Sequence, residues 1–373
     1  MRLPLGVPTM KAVILRQPRV LEVADVPKPR MTDEHHVMVK VEACGICGSD
    51  LRYWNGENPW ALHTLGRHIP NPPNIILGHE FAGIVVEVNS SAYEHLLGER
   101  VGAQAFRVCG KCNFCCSGRE NLCRKTIHIG HAQGWGEMDL YPGAYAEYCL
   151  AWGDLVYPIP GNVPLEHAAL ADILCVAVHA VSRSKSTAGS VLCIGGGPAG
   201  LSIAQVAKAK GASKVFVSEP SPMAHSVLRK FGNLVVIDPR RQRFSSVFGT
   251  RNGSCHMTAI YDSIGSAETI AEALPFLEES GTYVNLAVHD TLVQMNAAVL
   301  GSEKTITSSS NALYSDVAKA YELICTQQID LLPMITHRFP LDRCLEAFDL
   351  LLRSPKEAYK VILNPANDQE PRR

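Results

Sequence analysis

A chain of 373 residues is too long for one ordinary hydrophobic core and divides most simply into two domains. Its 46% hydrophobic and 19% charged content excludes a disordered chain, and 35 basic against 36 acidic side chains give no electrostatic footprint for nucleic acid or an anionic membrane. No run of about eighteen apolar residues occurs, which excludes a membrane-spanning helix, and the opening MRLPLGVPTM lacks the apolar core and cleavage site of a signal peptide. The expectation is a soluble, cytoplasmic protein acting on small molecules.

The first 160 residues read as β-structure cut by turns, with short apolar strands at KAVIL, HVMVKVEA, FAGIVVEV and RVGAQ. Met10 opens the first of them, so residues 1–9 are expected to be an optional extension. Between 55 and 74 the stretch NGENPWALHTLGRHIPNPPN reads as a long loop that shapes a substrate mouth, with Trp60, His63 and His68 on it. From 165 the texture changes: EHAALADILCVAVHAVSRS reads as one helix, and βαβ units follow at SVLCIGGG, PAGLSIAQVAKAKGA and SKVFVSEP. Strands at LVVID, TAIYDSI and GTYVNLAV continue an open, mostly parallel sheet. Beyond 300 come helices at DVAKAYELICTQ and CLEAFDLLLRS, a strand at KVILN and a frayed tail. The expected class is α/β, with a β-rich domain over 1–160, a parallel-sheet domain over 161–300 and a return segment over 301–373.

Two stretches carry ligand chemistry. In CGKCNFCCSGRENLC, five of the thirteen cysteines fall between 109 and 123. Cys109, Cys112, Cys115 and Cys123 are spaced C-x2-C-x2-C-x7-C, with Cys116 left over. Disulfide, redox and metal readings compete for such a window; pairs of sulfurs two apart on one turn suit tetrahedral zinc, and a reducing setting favours metal. The second stretch follows the strand SVLCI. Gly195, Gly197 and Gly200, with Pro198 and Ala199 opening a helix, permit a tight turn, close approach of a pyrophosphate and close helix–strand packing. Glu219 ends the next strand, where an acidic side chain accepts hydrogen bonds from ribose hydroxyls and repels a 2′-phosphate. PSPMAH beyond it offers no Arg, only His225, so NAD is expected rather than NADP.

Two shorter stretches, C47-G-S-D50 and G78-H-E80, supply a thiolate, an imidazole and carboxylates. GICGSD, ILGHEFAG, the four-cysteine window and IGGGPAG, in that order, resemble the zinc-containing medium-chain alcohol dehydrogenases of the sorbitol, butanediol and threonine dehydrogenase branch. The resemblance runs from Met10 to Pro365 and implies a GroES-like catalytic domain plus a doubly wound Rossmann domain. It further implies reversible NAD-linked oxidation of a secondary alcohol, two zinc ions per chain and a homodimer or homotetramer. Residue by residue, Cys47 and His79 match catalytic zinc ligands, Asp50 the carboxylate that orients the imidazole, Glu80 the acid that contacts zinc directly or through water, and Ser49 the hydroxyl that takes the substrate proton. Cys109, Cys112, Cys115 and Cys123 match the structural zinc ligands of a lobe at 105–125, with Cys116 a spectator.

The third catalytic ligand falls on Asp172, where relatives carry Glu, with Cys175 as its substitute; His179 matches a position that is not a ligand. Arg52 stands where many relatives have a relay histidine, and an Arg of pKa above about 12 cannot shuttle a proton. With Tyr53 and Trp54 it is a candidate for the substrate pocket. The substrate class implied is a polyol, sugar, diol or cyclic alcohol. An L-threonine 3-dehydrogenase is the rival, although Arg52 and the missing E-P-L-G-N-A-V-H stretch count against it. A zinc-free reductase, a non-enzymatic zinc-lobe protein and a catalytically impaired relative are the remaining alternatives.

Overall fold

The structure is a computed structural model that describes residues 8–249, 255–287, 292–353 and 357–365. Residues 1–9 and the C-terminal tail, read as an extension and a frayed end, lie largely outside the described residues. The chain separates into two compact units, one formed by the segment up to Asp172 together with that from Ala320 on, the other by Ile173–Lys319. Residues 161–172 thus pack with the first unit, and the short strand Thr305–Ser308 with the second.

The first unit is built on a seven-stranded sheet. The strand His36–Gly45 lies between Glu80–Val88 and Lys360–Asn364 and also pairs with Tyr148–Trp152. Its sequence HVMVKVEACG is buried at nearly every position, as a strand covered on both faces requires. Lys360–Asn364 comes from the far end of the chain and pairs antiparallel with His36–Gly45, so the return segment completes this sheet. A separate three-stranded sheet holds Thr9–Gln17 between Val20–Pro27 and Ile75–Ile76.

In the second unit six strands run in the order Leu234–Ile237, Lys214–Ser218, Ser190–Ile194, Met257–Asp262, Leu277–Asn285, Thr305–Ser308, all pairings parallel. Numbered within the unit this is 3-2-1-4-5-6, the doubly wound order whose direction reverses beside the first strand. Leu192, Ile194, Phe216, Ile260, Phe244 and Phe248 form its core on one side. Each such side chain contributes about 1.5–3 kcal/mol by leaving water.

Two expectations are corrected. The stretch read as a single helix from 166 is two, Leu165–Ala169 and Ala171–Ser182. The short first helix is tied to its own unit by buried His167, whose Nε2 accepts the Leu331 N–H at 3.0 Å, while the chain from Ile173 on belongs to the other unit. The stretch read as a loop over 55–74 contains the helix Pro59–Leu65. Asn58 Oδ1 caps it by accepting the Ala61 N–H, Pro59 occupies its first turn, and Gly66 closes it in the left-handed region. Trp60 is buried on that helix and His68 is exposed.

Candidate metal centre and cofactor site

Cys47 stands at the N-cap of the helix Gly48–Trp54, which presents Ser49 and Asp50 in its first turn. Asp50 is fully buried; its Oδ2 accepts the Cys47 N–H at 2.9 Å and the Tyr145 hydroxyl at 2.6 Å. Its other oxygen faces His79 Nδ1 across 3.5 Å. Burial opposes charge on Asp50, but His79 and the hydrogen bonds it accepts outweigh that and lower its pKa. The reverse holds for His79: burial opposes protonation, and Asp50 overrides it, raising the imidazole well above its ordinary range.

His79 precedes the strand Glu80–Val88, so the imidazole and the Glu80 carboxylate leave the same point of the sheet. One donor atom each from Cys47, His79 and Glu80 lies within 4.8 Å of the others. Ser49 Oγ is 3.5 Å from His79 Nε2. Among the described residues, buried Asp50 Oδ1, His79 Nδ1 and both Glu80 oxygens have no hydrogen-bond partner of ordinary geometry, although Asp50 and His79 face one another as an ion pair and Glu80 Oε2 pairs with Lys360 Nζ. A thiol, an imidazole and a carboxylate converging in a buried place, with the imidazole backed by a second carboxylate, suit zinc. Asp172 lies outside this close set but within reach of its charges. Its carboxyl is raised to about 6, first by desolvation, with His79, Glu80, Lys360 and Asp50 all acting on it. Cys175 is buried on the same helix, in the second unit. His179 Nδ1 lies 2.7 Å from Asp316 Oδ2, and both are buried.

Of the pocket candidates, Arg52 Nε donates to Glu57 at 2.8 Å. Tyr53 is buried and stacks on His131, ring centroids 5.1 Å apart, while Trp54 is half-buried. The sequence reading missed four residues here: Tyr145, Lys360, His128 and His131. The His128 ring stacks on His131 at 3.9 Å and meets His79 edge-on at 5.7 Å, and burial drives its pKa to about 3. The only signals were the pair of histidines in I127-H-I-G-H131 and a lysine leading an otherwise apolar strand.

The second donor set is the cysteine lobe. Cys112 caps the short helix Asn113–Cys116, and Cys109, Cys112, Cys115 and Cys123 each place a sulfur within 4.8 Å of the other three. Sulfur–sulfur separations of 3.9 Å (Cys109–Cys115), 3.5 Å (Cys112–Cys115) and 3.6 Å (Cys123–Cys109) are far longer than the disulfide bond of about 2.05 Å. They suit a zinc tetrahedron, whose edge is roughly 3.8 Å for Zn–S bonds of about 2.3 Å. The backbone N–H of Lys111 leads in lowering the Cys109 thiol to about 6, whereas burial and its neighbours push Cys115 to about 12. Cys116 is exposed, its thiol directed at the Gly110 carbonyl, and lies outside the set.

In the second unit, Gly195 follows the strand Ser190–Ile194, and Pro198 opens the twelve-residue helix Pro198–Ala209, with Gly197 at its N-cap and Ala199 in its first turn. Gly195 has φ +90°, and a Cβ on Gly200 would sit 1.8 Å from the Gly195 carbonyl oxygen, so only glycine permits this turn. Open space lies over Gly197 where a Cβ would stand. Glu219 accepts the Gly196 N–H at 2.7 Å and the Ser221 N–H at 2.8 Å. His225 Nε2 lies 2.5 Å from the Glu219 carbonyl oxygen. A helix N-terminus, a glycine turn and an acidic strand end at the point of sheet reversal fit a dinucleotide.

Comparison with known proteins agrees. Residues 33–161 match the alcohol dehydrogenase GroES-like domain, and residues 198–326 match the zinc-binding dehydrogenase domain. An L-threonine 3-dehydrogenase of Sinorhizobium fredii is 30% identical over 350 residues, covering 92% of this chain and 95% of its own. The chain belongs to the zinc-containing medium-chain alcohol dehydrogenase family. Sorbitol dehydrogenase of Bacillus subtilis is 27% identical over 95% of this chain and 97% of its own. A zinc-binding dehydrogenase from Sinorhizobium meliloti, solved bound to NADP, superposes with a TM-score of 0.84 at 28% identity, covering 96% of this chain and all of that one. The fold is therefore α/β, a GroES-like domain joined to a Rossmann domain.

Proposed function

We propose that this member of the family oxidises a secondary alcohol of a polyol, sugar, diol or cyclic alcohol reversibly to the ketone, at a zinc site held by Cys47 and His79. The single observation that carries the reading is the convergence of half-buried Cys47 with buried His79 and Glu80 in front of Asp50 and Tyr145. Zinc, when bound, supplies a Lewis acid that lowers the pKa of the substrate hydroxyl. The nicotinamide cofactor, when bound, accepts the hydride.

The chain's own side chains do the rest. Asp50, fixed by the Cys47 N–H and the Tyr145 hydroxyl, turns the His79 ring so that Nε2 is free to ligate. Ser49, beside that nitrogen, takes the substrate proton. Asp172 is proposed as the third ligand, reached from its present position by a small shift of the helix Ala171–Ser182. Arg52 is engaged by Glu57 and relays no proton, which leaves that task to solvent. Cys109, Cys112, Cys115 and Cys123 are proposed to hold a second, structural zinc with no open position. Gly195, Gly197, Pro198, Ala199, Gly200 and Glu219 are proposed to bind the cofactor, with NAD(H) preferred because the Glu219 carboxylate repels a 2′-phosphate. A homodimer or homotetramer in a reducing cytoplasm completes the proposal.

A second reading, L-threonine oxidation, is favoured by one specific observation: relatives at 29–30% identity carry the name L-threonine 3-dehydrogenase. A screen of polyols, diols, cyclic alcohols and L-threonine with NAD+ and NADP+, followed by absorbance of reduced cofactor, separates the two. Turnover with a polyol, sugar, diol or cyclic alcohol and NAD+ is expected. Turnover confined to L-threonine replaces the first reading with the second, and turnover confined to NADP+ removes the cofactor assignment.

A further inference from the structure

We propose that His128 and His131 form a hydroxyl-reading pair beside the metal centre, selecting a substrate that carries a second hydroxyl on the carbon next to the reacting alcohol. The inference rests on the reaction proposed above and narrows its substrate class to vicinal diols and polyols. It starts from a glycine. Gly130, between the two histidines, has φ +85°, and a Cβ there would lie 2.5 Å from the Gly78 carbonyl oxygen and 3.1 Å from His79 Cβ. Only glycine lets the segment I127-H-I-G-H131 lie this close to the backbone that carries His79. The Ile129 N–H donates to the Ala105 carbonyl at 2.8 Å and the Gly130 N–H to the Pro142 carbonyl at 2.9 Å. The Trp135 indole N–H donates to the His128 carbonyl at 2.7 Å, so the backbone under both imidazoles is tied down.

Four rings stand in a row. Tyr53 stacks on His131 with centroids 5.1 Å apart, His131 on His128 at 3.9 Å, and His128 on Phe106 at 6.2 Å. His79 meets His128 edge-on at 5.7 Å. Packing alone would be served by carbon rings at the two middle places. The imidazole nitrogens are instead left over. His128 Nδ1 lies 2.7 Å from the Ile129 carbonyl oxygen, so Nδ1 carries the ring hydrogen and Nε2 remains as an acceptor. Among the described residues, no hydrogen bond reaches that Nε2 or either ring nitrogen of His131. His131 is only 4% exposed, and a buried polar ring without a partner is costly until a ligand or water meets it.

These unmet nitrogens stand one ring away from His79, and hence beside the place where the reacting hydroxyl must bind. A hydroxyl on the neighbouring carbon can donate to His128 Nε2, and a further one can meet His131. A monohydric alcohol puts an alkyl group there and leaves both rings unmet, which a site built to hydrogen-bond a hydroxyl penalises.

The test uses the full-length zinc protein with two alcohols that differ by one hydroxyl, butane-2,3-diol and butan-2-ol. Wild type is expected to favour the diol in kcat/KM by at least about tenfold, the worth of one buried hydrogen bond. His128→Phe keeps the stack and is expected to lower kcat/KM for the diol about tenfold while butan-2-ol stays within about twofold. No diol preference in wild type overturns the proposal. So does a ratio unchanged in His128→Phe, including an equal loss for both alcohols, which marks a packing role. Where His128→Phe fails to fold by thermal melting, His131→Phe decides by the same ratio. If wild type turns over neither alcohol, the proposed reaction fails for them, and binding to the cobalt-substituted protein, read from its visible bands, decides the histidine role separately. Tighter binding of the diol by wild type than by His128→Phe supports it, and equal or absent binding overturns it.

Discussion

The cysteine lobe and the Cys47 centre are both clusters of metal donors, yet they are assembled in opposite ways. The lobe draws four sulfurs from a stretch of fifteen residues, 109–123, and spaces those measured 3.5–3.9 Å apart, leaving no opening in a tetrahedron. The Cys47 centre collects one thiol, one imidazole and a carboxylate from separate segments and surrounds them with Asp50, Tyr145, Asp172 and Lys360. Uniform, local donors make a clip. Mixed donors with buried charges around them make a place where a coordination position can be contested, and chemistry needs that.

Substitutions at the two sites should therefore fail differently. Cys47→Ser or His79→Ala is expected to abolish turnover while the thermal melt stays near that of wild type; near-normal rates in either would remove the catalytic assignment. Cys112→Ser should do the reverse, lowering the melting temperature and releasing lobe metal while the folded fraction keeps substantial turnover, because structural zinc contributes folding energy. Loss of turnover without loss of stability in Cys112→Ser would erase the contrast. Asp50→Asn keeps the shape behind His79 but removes the charge, and is expected to cost about 10–100-fold in metal affinity, read by chelator competition.

The smallest effect concerns pH. In the metal-free protein the Asp172 carboxyl is raised to about 6, against roughly 3.9 in an unfolded chain. A carboxyl raised on folding stabilises the native state fully below about 4, and that contribution is lost as pH climbs through 6. The residue keeps some accessible surface, so Asp172→Asn is expected to stabilise the metal-free protein at pH 7 by only ~1–2 kcal/mol. Urea titrations at pH 4 and pH 7 read this; an equal gain at both would show that the carboxyl is not the cause.

The same contrast explains what the sequence could reveal. The lobe and the glycine turn stood out because spacing marks them, with cysteines two apart, glycines at fixed offsets, a strand before and a helix after, while the metal reading of the cysteines came with the family resemblance. Cys47, His79 and Glu80 became candidates through motif resemblance, not through spacing. Lys360 and Tyr145 stayed hidden because their contacts span the fold. Lys360 reaches the Ile46 carbonyl 314 positions away, and a lysine leading a strand reads as solvated until its neighbours are known. His128 and His131 lacked any periodic context. The helix Pro59–Leu65 was overlooked although Asn58, Pro59 and Gly66 form a cap, a start and a stop, because the surrounding prolines and glycines read as loop.

Zinc content per chain, measured by elemental analysis, tests the central claim most directly. The account predicts two zinc ions per wild-type chain, one in Cys47→Ser/His79→Ala with a near-normal melt, and a weakened lobe in Cys112→Ser. Two zinc ions retained in Cys47→Ser/His79→Ala would contradict it.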